Sequence, residues 1–254
     1  MVKGVLLDLS GVLYEGNRPV PGAAEAVAKL RAAGLPVRFL TNSTRSPRRK
    51  LLEKLRKMGF ELEDQELFTP AKAACEKLEE NGLTAHLLIH PDLAEDFEGF
   101  EEAEAPGALV VGDAGTHFTY DALNAAFRIL ADGAAFYALA ANRTFYDADG
   151  ALSMDVGAFV AALEYASGQT AEVLGKPAEA FFRAALGDMG VAPEDAAMVG
   201  DDHEADVAGA LRAGLGRAVL VKTGKYRDGD EAGADPAPSH VAADLSAAVD
   251  WLLS

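Results

Sequence analysis

Four short segments of this chain set oxygen-rich or cationic side chains directly after apolar runs: Asp8-Leu9-Ser10-Gly11, Thr41-Asn42, Lys176, and Asp201-Asp202. Taken singly, each has an ordinary reading. Asp8 is a turn or cap residue, Thr41-Asn42 a side-chain-bonded turn, Lys176 a surface lysine and Asp201-Asp202 a pair at a helix N-terminus. Taken together they form a chemical set. Two separated groups of carboxylates repel each other unless a cation sits between them, and ligands made only of oxygen suit Mg²⁺. A lysine and a Thr/Asn pair beside that cation would neutralise and hydrogen-bond a tetrahedral oxyanion such as phosphate. The chemistry to expect is phosphoryl transfer.

Other known constellations do not fit. Gly175-Lys176 is followed by Pro177, and Thr170 stands where a P-loop needs its first glycine. Ser10 lies between Asp8 and Val12, where a nucleophile elbow requires two glycines. Asp147-Ala148-Asp149-Gly150 lacks the rest of a calcium loop and reads as a hairpin turn. The five histidines, 86, 90, 117, 203 and 240, make no metal-ligand spacing.

For the four segments to meet, they must sit at the carboxyl ends of neighbouring strands in an open parallel sheet, where loops converge. The pattern supplies such a sheet. Short apolar runs alternate with amphipathic stretches, the mark of a doubly wound parallel α/β fold. Strands are expected at Val5 to Leu9, Val37 to Leu40, Leu87 to Ile89, Ala108 to Val111, Phe136 to Leu139, Glu172 to Leu174, Ala196 to Val199 and Ala218 to Lys222. Helices are expected at 21–33, 47–58, 120–131 and 157–166, after Pro70, after Pro177, and at the end of the chain through Leu253. Phe145, Met154 and Phe159 read as core residues of the middle region. The basic run from Arg48 to Lys57 reads as a solvated helix face.

Composition narrows the partners. A chain of 254 residues, 50% hydrophobic and 25% charged, folds by burial alone as one domain with an insertion, or as two. Its 23 basic and 40 acidic residues leave a net charge of −17, which disfavours nucleic acid and anionic membrane surfaces. Cys75 is the single cysteine, so no internal disulfide can form. The first apolar run meets Asp8 too early for a signal peptide, and no stretch reaches the roughly 18 apolar residues of a membrane span. A reducing cytoplasm is the expected location.

Leu7-Asp8-Leu9-Ser10-Gly11-Val12-Leu13, Leu40-Thr41-Asn42, Gly175-Lys176-Pro177 and Val199-Gly200-Asp201-Asp202 with Asp206 resemble the four ordered motifs of the haloacid dehalogenase superfamily. The insertion between the second and third motifs is α/β, which resembles the class IIA, NagD-like cap. Within that class, residues 7–14, 162–166 and 222–227 look most like phosphatases of phosphoramidates and pyrophosphate. The resemblance implies a Rossmann-like core at 1–71 plus 172–254 and an inserted cap at 72–171 that selects the substrate. It implies that Asp8 is a nucleophile forming an aspartyl phosphate. It implies Mg²⁺ held by Asp8, the main-chain carbonyl of Ser10 and Asp201, with Asp206 as the outer partner of the metal or of Lys176. Ser10, Gly11, Thr41, Asn42 and Lys176 would bind phosphate, Lys176 would balance charge on Asp8, and Asp202 would only cap the following helix. A homodimer is compatible with the class.

Ser10 departs from the superfamily's usual pattern, which has a second aspartate two residues after the nucleophile. A serine hydroxyl titrates far above neutral pH and is a poor general acid or base. Pyrophosphate, phosphohistidine, phospholysine and aryl phosphates, whose leaving groups need less protonation, are therefore the expected small-molecule substrates. A catalytically weak phosphate-binding or phosphoacceptor protein on the same fold is the alternative.

Overall fold

The computed structural model describes residues 2–100, 107–146, 150–233 and 235–254. Strands β1 to β5 span Gly4–Asp8, Tyr14–Glu15, Arg18–Pro19, Val37–Leu40 and Leu67–Phe68. Strands β6 to β10 span Ala85–Leu88, Ala108–Val111, Ala135–Ala138, Thr144–Tyr146 and Leu152–Met154. Strands β11 to β14 span Glu172–Val173, Ala196–Gly200, Arg217–Val221 and His240–Ala242. Helices α1 to α5 are Ala23–Ala32, Arg48–Lys57, Pro70–Asn81, Tyr120–Ala131 and Val156–Ser167. Helices α6 to α9 are Glu179–Gly187, Gly209–Arg212, Asp230–Gly233 and Leu245–Leu253. The α/β alternation expected from the sequence is present. The turn at Asp147-Ala148-Asp149 lies outside the described residues.

The chain divides into two compact units. The first comprises Met1–Thr41, Leu51–Phe68 and Lys176–Ser254, and the second Asn42–Lys50 and Thr69–Gly175. The first unit is built on a six-stranded sheet of order β14-β13-β12-β1-β4-β5, every pair of it parallel. From β1 the chain builds outward through β4 and β5 on one side, then returns to build β12, β13 and β14 on the other. The reversal falls between β1 and β12, which is where an open sheet of this kind leaves a crevice at its carboxyl edge. Both faces are covered, so β1 reads as one unbroken apolar run with all five residues buried. Val5 and Leu7 pack into a cluster with Leu30 of α1, Leu52 and Leu55 of α2, and Val249 of α9. Leu6 points to the opposite face by strand alternation. Phe68 of β5 meets Phe181 of α6 there, ring centroids 5.2 Å apart.

The second unit carries a four-stranded parallel sheet of order β11-β8-β7-β6 and a separate β9-β10 hairpin. Its core joins Leu109 and Val111 of β7 to Ala126 and Leu130 of α4 and Val160 and Leu163 of α5. Phe118 stacks on Phe159, with centroids 3.8 Å apart. Thr69 and Thr119 start α3 and α4, each accepting from the amide three residues on.

Two expectations need correction. Glu172 and Val173 do not enter the first sheet: β11 pairs with β8, so the second unit runs to Gly175 and Lys176 is not delivered by a strand of its own sheet. The run Val173-Leu174 is too short to be told from a buried strand by its apolar character alone, and Glu172 is exposed. Met154 is 66% exposed on the hairpin rather than core. Among the described residues, no helix is long and apolar enough to cross a membrane.

Candidate active site

The strand register brings the predicted residues of the first unit to one level. Asp8 ends β1 opposite Leu40 of β4, so Thr41 stands one residue beyond it on one side. Leu7 pairs with Val199, so Asp201 stands one residue beyond it on the other. The four charged side chains buried among the described residues are all here: Asp8, Lys176, Asp201 and Asp206, none more than 7% exposed. Thr41 is also buried, and its amide donates to Phe68 O at 3.4 Å.

Lys176 binds two of these carboxylates. Its Nζ donates to Asp8 Oδ1 and, at 2.6 Å, to Asp206 Oδ1. Burial alone would pull the lysine pKa down, but the charges of Asp206 and Asp8 outweigh it and hold the group above the ordinary lysine value. Asp206 rides on the π-helical turn His203–Ala208, and its Oδ2 accepts from Asp202 N at 3.2 Å. Burial, reinforced by the charge of Asp8 against the pull of Lys176, raises the Asp206 carboxyl.

One oxygen each from Asp8, Asp201 and Asp206 lies within 4.8 Å of the others. Three carboxylates against one ammonium leave two uncompensated negative charges in a buried space. Asp201 shows the strain most clearly: burial, then the charges of Asp8 and Asp206, push its carboxyl up to about 7. Oxygen ligands with this surplus charge fit a hard divalent cation, which would hold all three ionised.

The remaining expected residues are placed as follows. Asp202 caps the next turn, accepting from Glu204 N and Ala205 N at 3.1 and 2.9 Å. Ser10 is exposed and forms a bridge with Tyr14. The Gly11 amide donates to Tyr14 O at 2.7 Å. Asn42 belongs to the second unit, where it is half-buried.

Sequence reasoning missed the loop after β13. Residues 222–227 entered only through the family resemblance, with no site role, yet the loop supplies Thr223, which donates to Gly11 O, and Lys225, whose amide donates to Asp201 Oδ2 at 2.7 Å. The signal was available: β13 is the next parallel neighbour of β12, so residues after Val221 must emerge at the same edge as Asp201.

Comparison with known proteins agrees with this geometry. The family described as haloacid dehalogenase-like hydrolase matches residues 5–101, and a second, HAD-hydrolase-like family matches 173–248. The chain is 42% identical to phospholysine phosphohistidine inorganic pyrophosphate phosphatase of Danio rerio, over all of this chain and 95% of that protein. It is 44% identical to haloacid dehalogenase-like hydrolase domain-containing protein 2 of Bos taurus, over 99% of this chain and 96% of that one. The solved p-nitrophenyl phosphatase of Archaeoglobus fulgidus superposes with a TM-score of 0.88 at 29% identity, covering 98% of this chain and 99% of that one. A glycerol phosphate phosphatase of Mycobacterium tuberculosis, solved in complex with magnesium, gives 0.83 at 26% identity, covering 97% and 76%. The chain therefore belongs to the haloacid dehalogenase-like hydrolases and is a phosphatase of that family.

Proposed function

We propose that this phosphatase is Mg²⁺-dependent, works through an aspartyl phosphate on Asp8, and prefers small substrates with good leaving groups: pyrophosphate, phosphohistidine, phospholysine and aryl phosphates. The observation that carries the reading is the convergence of Asp8, Asp201 and Asp206 around Lys176 at the reversal point of the first sheet. Asp8, the Ser10 carbonyl and Asp201 would hold Mg²⁺, with Asp206 as an outer partner. The bound cation would lend positive charge against the phosphoryl oxygens.

The chain's own residues carry the steps. A carboxylate oxygen of Asp8 attacks phosphorus, the bond from phosphorus to the leaving oxygen or nitrogen breaks, and its electron pair departs with the leaving group. Lys176, fixed between Asp8 and Asp206, balances the charge on the nucleophile and faces the charge that develops. Ser10, Gly11, Thr41 and Asn42 bind phosphate oxygens. Water then attacks phosphorus, releasing phosphate and restoring Asp8.

Ser10 sets the preference. With no carboxyl two residues after the nucleophile, a leaving alkoxide receives no proton from that position, whereas a basic phosphoramidate nitrogen takes its proton from solvent before the P–N bond breaks and a second phosphate leaves as a stable anion. The net charge of −17 fits small phosphates better than nucleic acid.

The test is phosphate release with Mg²⁺ from pyrophosphate, phosphohistidine, p-nitrophenyl phosphate and a set of sugar phosphates. Turnover of the first three over the sugar phosphates is expected. Ser10→Asp should raise alkyl phosphate turnover relative to pyrophosphate by about 100-fold, the usual worth of a placed general acid. An unchanged ratio would refute the role given to Ser10, and no release from any substrate would favour a phosphoacceptor.

A further inference from the structure

Three consecutive residues after β13 each reach a different part of the charged centre. Thr223 Oγ1 donates to Gly11 O in the loop that follows Asp8. Gly224 N donates at 2.8 Å to Glu15 Oε1, at the edge of the β2-β3 hairpin. Lys225 N donates at 2.7 Å to Asp201 Oδ2. A Tyr226 N to Thr223 O hydrogen bond at 3.3 Å closes the turn, with Gly224 in the left-handed region at φ 63°.

The packing around this turn leaves no slack. A Cβ on Gly224 would overlap Asp201 Oδ2 and stand 2.5 Å from Gly11 Cα. A Cβ on Gly11 would overlap the same oxygen and stand 3.0 Å from Gly224 Cα. The two glycines face each other with the Asp201 carboxylate wedged against both. Asp201 Oδ2 is therefore held by the Lys225 amide and enclosed by the two glycines, which fixes the orientation of the carboxylate.

We propose that Thr223, Gly224 and Lys225 form a clasp that positions Asp201 for the cation, and that Glu15 anchors the clasp. These are positioning residues: none touches the reacting atoms. The inference rests on the reading of Asp8, Asp201 and Asp206 as a cation centre and adds what fixes the geometry of one arm. Partners that orient ligands from behind commonly change metal affinity 10- to 100-fold when removed.

The experiment measures Mg²⁺ affinity by calorimetric titration without substrate, together with kcat and KM for p-nitrophenyl phosphate at saturating Mg²⁺. Thr223→Val keeps the shape and removes the donor, and Glu15→Ala removes an acceptor on an exposed side chain, so both variants should fold. Each is expected to weaken Mg²⁺ binding about 10-fold while KM stays within twofold. Gly224→Ala should weaken it further. Folded variants that bind Mg²⁺ as tightly as the wild type would overturn the clasp and leave the cation centre standing. A parallel fall in melting temperature, kcat and substrate affinity with unchanged Mg²⁺ binding would mark the segment as merely structural and also overturn it. A wild-type protein that binds no Mg²⁺ would remove the cation centre and the clasp with it.

Discussion

The two units are built from the same parts, parallel strands with helices between them, yet they differ in how the chain orders those strands. In the second sheet the order β6-β7-β8-β11 runs one way, so each connection follows its predecessor and no crevice opens between diverging loops. In the first sheet the order reverses between β1 and β12, and the two sets of loops part there. The charges follow the reversal. Asp8, Lys176, Asp201 and Asp206 are buried in the first unit, whereas the residues buried at the ends of β7 and β8 are Val111, Gly112 and Leu139. Layer architecture alone carries no chemistry; the switch in strand order decides where it is placed.

The comparison breaks most visibly at the ends of β1 and β7. Asp8→Asn should lower phosphate release roughly a thousandfold or more if Asp8 is the nucleophile we propose. Asp113→Asn, at the equivalent edge of the second sheet, removes an ion pair with half-exposed Arg45 and should leave turnover within about tenfold. Equal losses in the two variants, measured with p-nitrophenyl phosphate, would end the distinction.

Lys176→Met strands Asp8 and Asp206 without their shared cation. Removing one side of a buried pair costs about 3 to 5 kcal/mol, and urea unfolding of the metal-free variant should show it in the first unit. A loss under about 1 kcal/mol would mean that the carboxylates shed their charge more cheaply than their burial implies.

Magnesium should stabilise by about 2.7 kcal/mol at one hundred times its dissociation constant. Hydrogen exchange should register that protection in the first unit alone. Its pH dependence follows from Asp201, whose carboxyl is pushed up to about 7 from an ordinary 3.8. Between those values the folded state holds the proton more tightly than the unfolded chain, so the contribution of Asp201 to metal-free stability is fully present below about 4 and is lost as pH rises through 7. The stabilisation by Mg²⁺ should accordingly be larger at pH 8 than at pH 5. Equal melting shifts at both values would contradict this.

The smallest effect is expected in the second unit. Thr69→Ala removes the hydroxyl that accepts from Lys72 N at the start of α3, at a cost of about 1 kcal/mol. Mg²⁺ affinity should stay within twofold, and a larger change would tie the cation centre to the second unit's packing.

Much of this arrangement was legible from residue types, and particular residues show where legibility stopped. Tyr120–Ala131 and Ala108–Val111 appear with the expected ends, because a threonine cap opens the first and an unbroken apolar run defines the second. Asp8 and Asp201 could be picked out because charges placed after buried strands are costly unless they meet a partner, and Lys176 because a lysine beside them would be that partner. The sheet that receives Glu172–Val173 could not, since two residues carry no period and their partner lies in Tyr137–Ala138. The β2-β3 hairpin is equally short. The Lys225 contact escaped because it is made by a backbone amide, which no side-chain pattern announces.

The pairing of β1 with β12 has a consequence for how the chain is made. Lys3 donates its backbone amide to Asp195, 192 residues later. At ribosomal rates of about 5 to 20 residues per second, the first strand waits roughly 10 to 40 s for its central neighbour. Residues 69–175 of the second unit are complete within that interval, so they can form their own sheet first. For most of it, β1 has an open edge and Asp8 lacks both Lys176 and Asp201, so the first carboxylate of the charged centre exists long before the residues that surround it.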